Sequence, residues 1–324
     1  MPGAKVKAGQ FVAYMGDSGD AETSVPHLHF EIRRPDNTAI NAWPSLRLSQ
    51  GLDAGGGQCR FPSVPTPKPS SASGAGYWTT TAAGAVSAFG AARSYGDFSG
   101  RRLNAPITGM TARTTGQGYW LLGSDGGIFS FGDAPFYGST GALRLNRPIV
   151  SMAATPSGHG YWLLGTDGGV FSYGDAAFYG STGGMRLNKP IIGMAATATG
   201  KGYWLYASDG GVFSFGDAAF YGSTGGLKLG QPVVRVAVTP TSEGYWLVTS
   251  NGGVYSFGDG AYYGSVPALG FCAAKTVVSI AASQTGRGYW VLQADGHIRT
   301  FGDARSYGDA SGSPARTVAF TVMP

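Results

Sequence analysis

The stretch GYWLLGTDGGVFSYGDAAFYGSTGGMRLNKPIIGMAATATG, Gly160 to Gly200, decides the fold because the chain repeats it. Its opening tripeptide GYW recurs six times, at Gly76, Gly118, Gly160, Gly202, Gly244 and Gly288. Successive copies start 42 residues apart, except that the last starts 44 residues after the fifth. A period of about 40–45 residues is typical of one blade of a β-propeller.

We predict four strands within this copy, at 161–165, 170–174, 177–181 and 190–197. The Asp-Gly pair between the first two strands indicates a tight hairpin. The fourth strand, PIIGMAAT, contains several small residues, which allow close approach of neighbouring backbones. We therefore predict that the fourth strand lies innermost, beside a central axis.

The two ends of the array indicate that the repeats close into a ring. The first copy lacks a preceding inner strand, and the last copy ends in RTVAFTVMP. Residues Thr317 to Val322 are therefore predicted to join the blade begun by Tyr77 and Trp78. The expected fold is all-β, a six-bladed propeller-like domain without exposed sheet edges. The alternative is a linear solenoid, which requires polar capping repeats at both ends.

The repeated aromatic residues have two interpretations. One identical aromatic per blade suits packing between blades, whereas a ring of aromatics also suits stacking on sugars. We expect core positions for the tryptophans, Trp78, Trp120, Trp162, Trp204, Trp246 and Trp290. The tyrosines of the FYGS-type motif are candidate surface ligand contacts, namely Tyr137, Tyr179, Tyr221 and Tyr263.

The repeated aspartates also have two interpretations, as turn residues or as calcium ligands. Aspartate side chains bond their own backbone in turns, and a calcium site requires several converging oxygens. We predict turn roles for both sets. The first set is Asp125, Asp167, Asp209 and Asp295, with Asn251 in the fifth copy; the second is Asp133, Asp175, Asp217, Asp259 and Asp303.

The composition limits the classes of partner. Only 13% of the 324 residues are charged, and the net charge of +5 favours anionic partners such as cell-wall polymers. No Lys/Arg cluster is interleaved with aromatics, so we predict no nucleic-acid partner. No apolar run is long enough to span a membrane, and the N-terminus shows no signal-peptide core. We expect a monomer.

The first 47 residues contain no copy of the repeat. Residues 26–33 are predicted to form a strand in which His27, His29 and Glu31 share one face. At about 3.3 Å per residue, the two imidazoles lie about 7 Å apart along the strand. Such a pair suits one metal ligand beside one acid/base group, although an HxH pattern also occurs as ordinary polar strand residues.

This region resembles the end of lysostaphin-type (LytM-like) zinc metallopeptidases, the murein endopeptidases. The resemblance rests on VKAGQFVAYMGDSGD, then PHLHFEIRR, then INAWPSL. It implies that His29 is a zinc ligand and that His27 is the catalytic histidine. In that family the zinc activates a water molecule that attacks a peptide bond of peptidoglycan.

The family also uses a His and an Asp from an upstream HxxxD segment, and a further upstream histidine. The other histidines here are His159 and His297, and both lie within the repeats. We therefore expect residues 1–47 to be a truncated, inactive peptidase fragment that binds no zinc tightly. The alternative is a zinc-dependent endopeptidase whose remaining ligands come from elsewhere.

A Gly/Pro/Ser-rich linker is predicted at 48–75, between this fragment and a repeat domain at 76–324. It contains Cys59, which either pairs with Cys272 or remains a thiol. The repeats resemble the GYW…DGGVFSFGDA.FYGS repeats of exported, cell-wall-associated actinobacterial proteins. That resemblance implies an extracellular binding or scaffolding role towards peptidoglycan, another wall polymer or an envelope protein.

Overall fold

The computed structural model describes residues 32–33, 39–40, 74–269 and 276–324. The chain divides into two compact units, and the repeats form the unit at 62–266 and 274–324. In the other unit, two short strands pair antiparallel. They are β1 (Ile32–Arg33) and β2 (Ala39–Ile40). A short 3-10 helix at Pro267–Leu269 also belongs to that unit.

The repeat unit contains eighteen described strands. In chain order they are β3 (Gly76–Thr81), β4 (Val86–Gly90), β5 (Ile107–Ala112), β6 (Gly118–Gly123), β7 (Ile128–Gly132), β8 (Ile149–Ala154), β9 (Gly160–Gly165), β10 (Val170–Gly174), β11 (Ile191–Ala196), β12 (Gly202–Ala207), β13 (Val212–Gly216), β14 (Val233–Val238), β15 (Gly244–Thr249), β16 (Val254–Gly258), β17 (Val277–Ala282), β18 (Gly288–Gln293), β19 (Ile298–Gly302) and β20 (Thr317–Val322).

These strands form six antiparallel sheets of three strands each, which we number as blades. Blade 1 is β20-β3-β4, blade 2 is β5-β6-β7, blade 3 is β8-β9-β10, blade 4 is β11-β12-β13, blade 5 is β14-β15-β16 and blade 6 is β17-β18-β19. In each blade the first-named strand contacts its counterparts in both neighbouring blades, so the six inner strands form a closed ring. The predicted six-bladed propeller is confirmed, and the linear solenoid is wrong.

The ring closes because the C-terminal strand joins the first blade. Strand β20 pairs with β3, so that Thr317 lies opposite Thr81 and Val322 lies opposite Tyr77. The backbone continues this pairing, because the N–H of Met323 donates to the carbonyl of Gly76 at 2.9 Å. The predicted pairing of the C-terminal strand with the first GYW segment is therefore confirmed.

The predicted strand at 177–181 is wrong, because each blade has three strands rather than four. The carbonyl of Ala177 bonds to its own blade, where it accepts the indole N–H of Trp162, and the tyrosine and glycine of the segment bond to the next blade. The N–H of Tyr179 donates to the hydroxyl of Tyr203 at 3.1 Å, and that hydroxyl donates to the carbonyl of Gly180 at 2.6 Å. Gly180 has φ +135°, and a Cβ there would lie 2.5 Å from the ring of Phe215, so only glycine fits this turn.

Every inner strand contains an irregularity at its second residue. In β11, for example, the pairing register shifts between Ile191 and Gly193, so Ile192 lies outside the regular ladder. The same shift occurs at the corresponding position of each of the other inner strands. A β-bulge of this kind disrupts the ladder locally and bends the strand.

The middle strands carry the core between blades, and the predicted burial of the tryptophans is confirmed. Trp162 is fully buried, and its indole N–H donates to the carbonyl of Ala177 at 2.7 Å. Its ring packs edge-on against Tyr203 of the next blade, with centroids 5.5 Å apart. Burying such a side chain contributes about 4–6 kcal/mol gross, at roughly 25 cal/mol per Å².

One tyrosine per blade connects each blade to the blade before it. We call these residues the seam tyrosines; they are Tyr77, Tyr119, Tyr161, Tyr203, Tyr245 and Tyr289. Each hydroxyl donates to a glycine carbonyl of the preceding blade and accepts a backbone N–H from the residue before that glycine. Tyr77 makes the same two bonds with Gly308 and Tyr307, so side chains also close the ring.

Replacement of Tyr77 by Phe tests the closed seam against an internal one. We expect Tyr77→Phe and Tyr161→Phe to lower the free energy of unfolding by similar amounts, about 1–3 kcal/mol, because each leaves a buried N–H and carbonyl unpaired. Urea denaturation followed by tryptophan fluorescence measures both values. A negligible loss for Tyr77→Phe beside a clear loss for Tyr161→Phe would mean that the ring is open in solution.

The seam tyrosines also predict sensitivity to alkaline pH. Burial raises the pKa of Tyr77 to about 12 and raises the pKa of Tyr289 further, whereas an unfolded tyrosine titrates near pH ~10. Above pH ~10 the unfolded chain releases protons that the folded protein keeps, so the stability conferred by these phenols falls as pH rises towards about 12. We expect a tyrosinate absorbance step that coincides with loss of the near-UV circular dichroism signal. Complete tyrosine ionisation with that signal intact would contradict this prediction.

Candidate functional site

Four residues predicted to carry chemistry lie outside the described residues. They are His27, His29, Cys59 and Cys272. Their assignments as catalytic histidine, zinc ligand and disulfide partners stay predictions. Within the described part of the chain, no group of three or more His, Cys, Asp or Glu side chains is placed to hold a metal ion.

The predicted ligand-contact tyrosines are half-buried, and their hydroxyl groups are already engaged. The hydroxyl of Tyr179 donates to the carbonyl of Gly200 at 3.0 Å, and its ring lies 5.7 Å from that of Tyr203. The other three make the equivalent bonds, Tyr137 to Gly158, Tyr221 to Ser242 and Tyr263 to Gly286. These contacts give the tyrosines a structural role between blades, and their contact with a ligand stays a prediction.

The residue immediately before each of these tyrosines is far more exposed. Phe136, Phe178 and Phe220 are each 60% exposed, and Tyr262 is 44% exposed. We call these four residues the aromatic rim. In AAFYG the alanine Ala176 is buried and Tyr179 contacts the next blade, while the two residues between them, Ala177 and Phe178, are both exposed. The sequence does carry a signal for the rim: an aromatic residue recurs at the position immediately before the FYGS tyrosine, and that tyrosine packs against the next blade.

Further exposed apolar side chains follow in the loop after three of the rim residues. Leu143 is 56% exposed, Met185 is 56% exposed and Leu227 is 60% exposed. Blades 2 to 4 therefore each present an exposed phenylalanine and an exposed aliphatic side chain within eight positions of sequence. Exposed apolar residues repeated in this way are more than the scattered surface residues of an ordinary soluble domain.

Blades 1 and 6 lack the aromatic rim. Ser94 and Ser306 occupy the position of Phe136, and each follows an arginine that is exposed, Arg93 or Arg305. Because the ring closes between blades 6 and 1, these two Arg-Ser positions belong to neighbouring blades. The rim position is therefore aromatic on blades 2 to 5 and serine on blades 1 and 6, while exposed basic residues such as Arg144 and Arg186 also occur on the blades that carry the rim.

The aspartates of the hairpin turns act as predicted. Gly169 N–H donates to Asp167 at 3.1 Å, and the same bond recurs in most other copies. The second set differs from the prediction, because its carboxylates accept hydroxyl bonds from the turn before the middle strand, for example from Thr155 to Asp175 at 2.8 Å. Although desolvation raises the pKa of Asp175, the hydroxyl bonds from Ser157 and Thr155 lower it below its ordinary value overall.

The two histidines of the repeats lie in turns. His159 is exposed in the turn between β8 and β9, within blade 3. His297 immediately precedes β19, and its Nδ1 is 3.2 Å from the carboxylate of Asp295. Nothing in the described part of the chain brings these two histidines together.

The described part of the repeat unit has concave regions, of which two bear on function. One is a cavity of about 140 Å³ lined by the inner strands of all six blades. The other is a groove of about 230 Å³ where blade 6 meets blade 1, lined by Trp290, Asp303, Arg305 and neighbouring residues. Among the residues with described structure, no helix has the length and hydropathy needed to cross a membrane.

Comparison with known proteins gives the fold and no family. No family model matches the chain, and no curated protein matches it. A crystal structure of a nidogen/laminin complex superposes with a TM-score of 0.51 at 8% identity, covering 78% of this chain and 99% of that one. The crystal structure of the Myceliophteria thermophila Cps50 (Swd1) β-propeller domain gives a TM-score of 0.40 at 12% identity, covering 67% and 70%. At such low identity the similarity concerns the fold alone.

Proposed function

We propose that the propeller is a non-catalytic binding module that attaches its chain to the cell wall, with peptidoglycan as the ligand. The aromatic rim is the observation that carries this proposal. It offers three phenylalanines that are each 60% exposed and one tyrosine that is 44% exposed, on consecutive blades. Solvent-exposed aromatic faces suit the apolar faces of sugar rings, and such patches mark binding sites on soluble proteins.

The repetition of the rim matches the repetition of a polymer. A single exposed aromatic binds one sugar weakly, because the stacking area is small. Four such positions on adjacent blades allow one glycan strand, or several, to be held at once, and the effective concentration of the second contact then strengthens overall binding. The net charge of +5 favours approach to anionic wall polymers.

The resemblances found in the sequence support a location outside the cell or on the wall. The repeats resemble those of exported actinobacterial proteins, and residues 1–47 resemble peptidases that act on peptidoglycan. A module that holds the chain on the wall suits a neighbour of that kind. A protein partner from the envelope is the alternative occupant of the rim.

Removal of the rim aromatics tests wall binding. We expect the full chain to sediment with purified peptidoglycan, and Phe136→Ser/Phe178→Ser/Phe220→Ser to reduce the retained fraction at least about tenfold. Serine occupies the same position in blades 1 and 6, so this variant retains the fold. Circular dichroism and the thermal midpoint check that it does.

The matched control keeps an aromatic at each position. Phe136→Tyr/Phe178→Tyr/Phe220→Tyr copies the residue that blade 5 carries naturally at Tyr262 and is expected to bind like the original chain. Equal retention of the serine variant, or no retention of the original chain above an unrelated protein, would rule out the rim as a peptidoglycan site. In the second case an envelope protein becomes the preferred partner.

A second candidate function is peptidoglycan hydrolysis, which the PHLHFE motif supports. The resemblance supplies one zinc ligand, His29, and one catalytic histidine, His27. A catalytic zinc normally has three protein ligands. A chain that supplies one of them is expected to bind the metal weakly and to need the other ligands from elsewhere.

Zinc content separates the two candidate functions. After dialysis against metal-free buffer, we expect the full chain to contain much less than one zinc per molecule and to release no fragments from peptidoglycan. His159→Ala serves as the control, because His159 is exposed in a turn of the propeller. One zinc per chain that is lost in His29→Ala but kept in His159→Ala would favour the hydrolase.

A further inference from the structure

The third residue of each inner strand lies beside the central axis, and one of the six differs sharply from the others. The six residues are Gly109, Ser151, Gly193, Arg235, Ser279 and Ala319. Five of them are small, as close packing of six strands around an axis requires. Arg235 of blade 5 is the single charged residue at this level of the ring.

The guanidinium group of Arg235 reaches across the axis. Its Nη2 donates to the carbonyl of Thr108 at 3.2 Å, and its Nη1 lies 3.5 Å from the carbonyl of Ile192. Thr108 belongs to blade 2, which is diametrically opposite blade 5 in the ring of six. Both carbonyls belong to the bulge residues of their strands, which lie outside the regular ladders.

The positive charge of Arg235 lacks a carboxylate partner in the described part of the chain. A guanidinium group has five N–H donors, and two of them are used by the bonds just given. Burial lowers the pKa of this arginine from its ordinary value, because desolvation disfavours the charged form. Arg235 is half-buried, and a cation that is partly withdrawn from water is stabilised by an anion or by several acceptors.

Two serine hydroxyl groups line the same cavity. Ser151 of blade 3 and Ser279 of blade 6 are on opposite blades and are 7% and 5% exposed. The Oγ of Ser151 accepts the N–H of Met194 at 3.4 Å, so its own hydrogen is free to be donated. The cavity has a volume of about 140 Å³, which is enough for a small group of a few non-hydrogen atoms.

We propose that this axial cavity is a binding site for a small oxyanion, a carboxylate or phosphate group, held by Arg235 and by the hydroxyl groups of Ser151 and Ser279. The planar fork of an arginine matches two oxygens of such a group, and serine hydroxyls donate to the remaining ones. The site is separate from the aromatic rim, and it stands whether or not the rim binds peptidoglycan.

Thermal shift with the full chain tests the axial site. Inorganic phosphate and acetate are titrated separately at constant ionic strength, with chloride as the reference salt. At about ten times its Kd, a bound anion is expected to raise the Tm of the original chain by about 3–6 °C relative to chloride. The anion that acts at lower concentration identifies the group as phosphate or carboxylate.

Arg235→Ser is the decisive variant, because serine is the residue that blades 3 and 6 carry at this level. Its shift is expected to vanish, and Arg235→Lys is expected to bind at least about tenfold more weakly because lysine lacks the fork. Ser151→Ala/Ser279→Ala keeps the arginine and is expected to show a reduced shift, which preserves the test if Arg235→Ser fails to fold. Equal shifts in all four proteins, or no shift in the original chain with either anion up to about 100 mM, would overturn the proposal.

Discussion

The hydroxyl group of the seam tyrosine is the interaction on which the rest of the propeller depends. In each blade it donates to a glycine carbonyl of the preceding blade and accepts the adjacent N–H, as Tyr203 does with Gly180 and Tyr179. These two bonds satisfy backbone groups that would otherwise be buried without partners between sheets. They also hold the loop after each outer strand against the next blade. That loop carries the exposed rim residue, so the position of the candidate binding surface follows from the seam.

Much of this architecture was predictable from the sequence because the same sequence unit occurs six times. Repetition and the hydrophobic pattern predict the 42-residue period and the Asp-Gly hairpins. The first copy lacks an inner strand and the last copy has one to spare, which predicts that Thr317–Val322 lies opposite Tyr77. The FYGS segment was predicted wrongly as a strand, because its aromatic and extended character is the same whether it pairs with its own sheet or with a neighbouring blade. The seam bond that decides between the two joins residues 24 positions apart in sequence. The pattern of residues within the FYGS segment does not reveal this bond to a distant residue.

The candidate sites, like the fold, could be predicted only in part from the sequence. The tyrosines chosen from the sequence are half-buried, and the more exposed residue is the phenylalanine one position earlier. Recurrence within the chain does not distinguish a packed residue from an exposed one, because both kinds recur in every repeat. Arg235 was missed for the opposite reason: it occurs once, and only the closed ring shows that its strand faces the blade opposite. Departures from a repeat deserve as much weight as the repeat itself when a site is sought.

The position of β20 in blade 1 has a consequence for folding during synthesis. Blade 1 contains the earliest GYW segment, yet its inner strand is β20, and the Tyr77 hydroxyl finds its carbonyl 231 residues further along the chain. On the ribosome, the sheet that begins first is therefore completed last. Until then, Trp78 and the edge of β3 lack their covering strand, and such edges recruit other strands. Closing so long a loop is slow, so the first blade stays open to association with other chains for longer than the blades whose strands are all near in sequence.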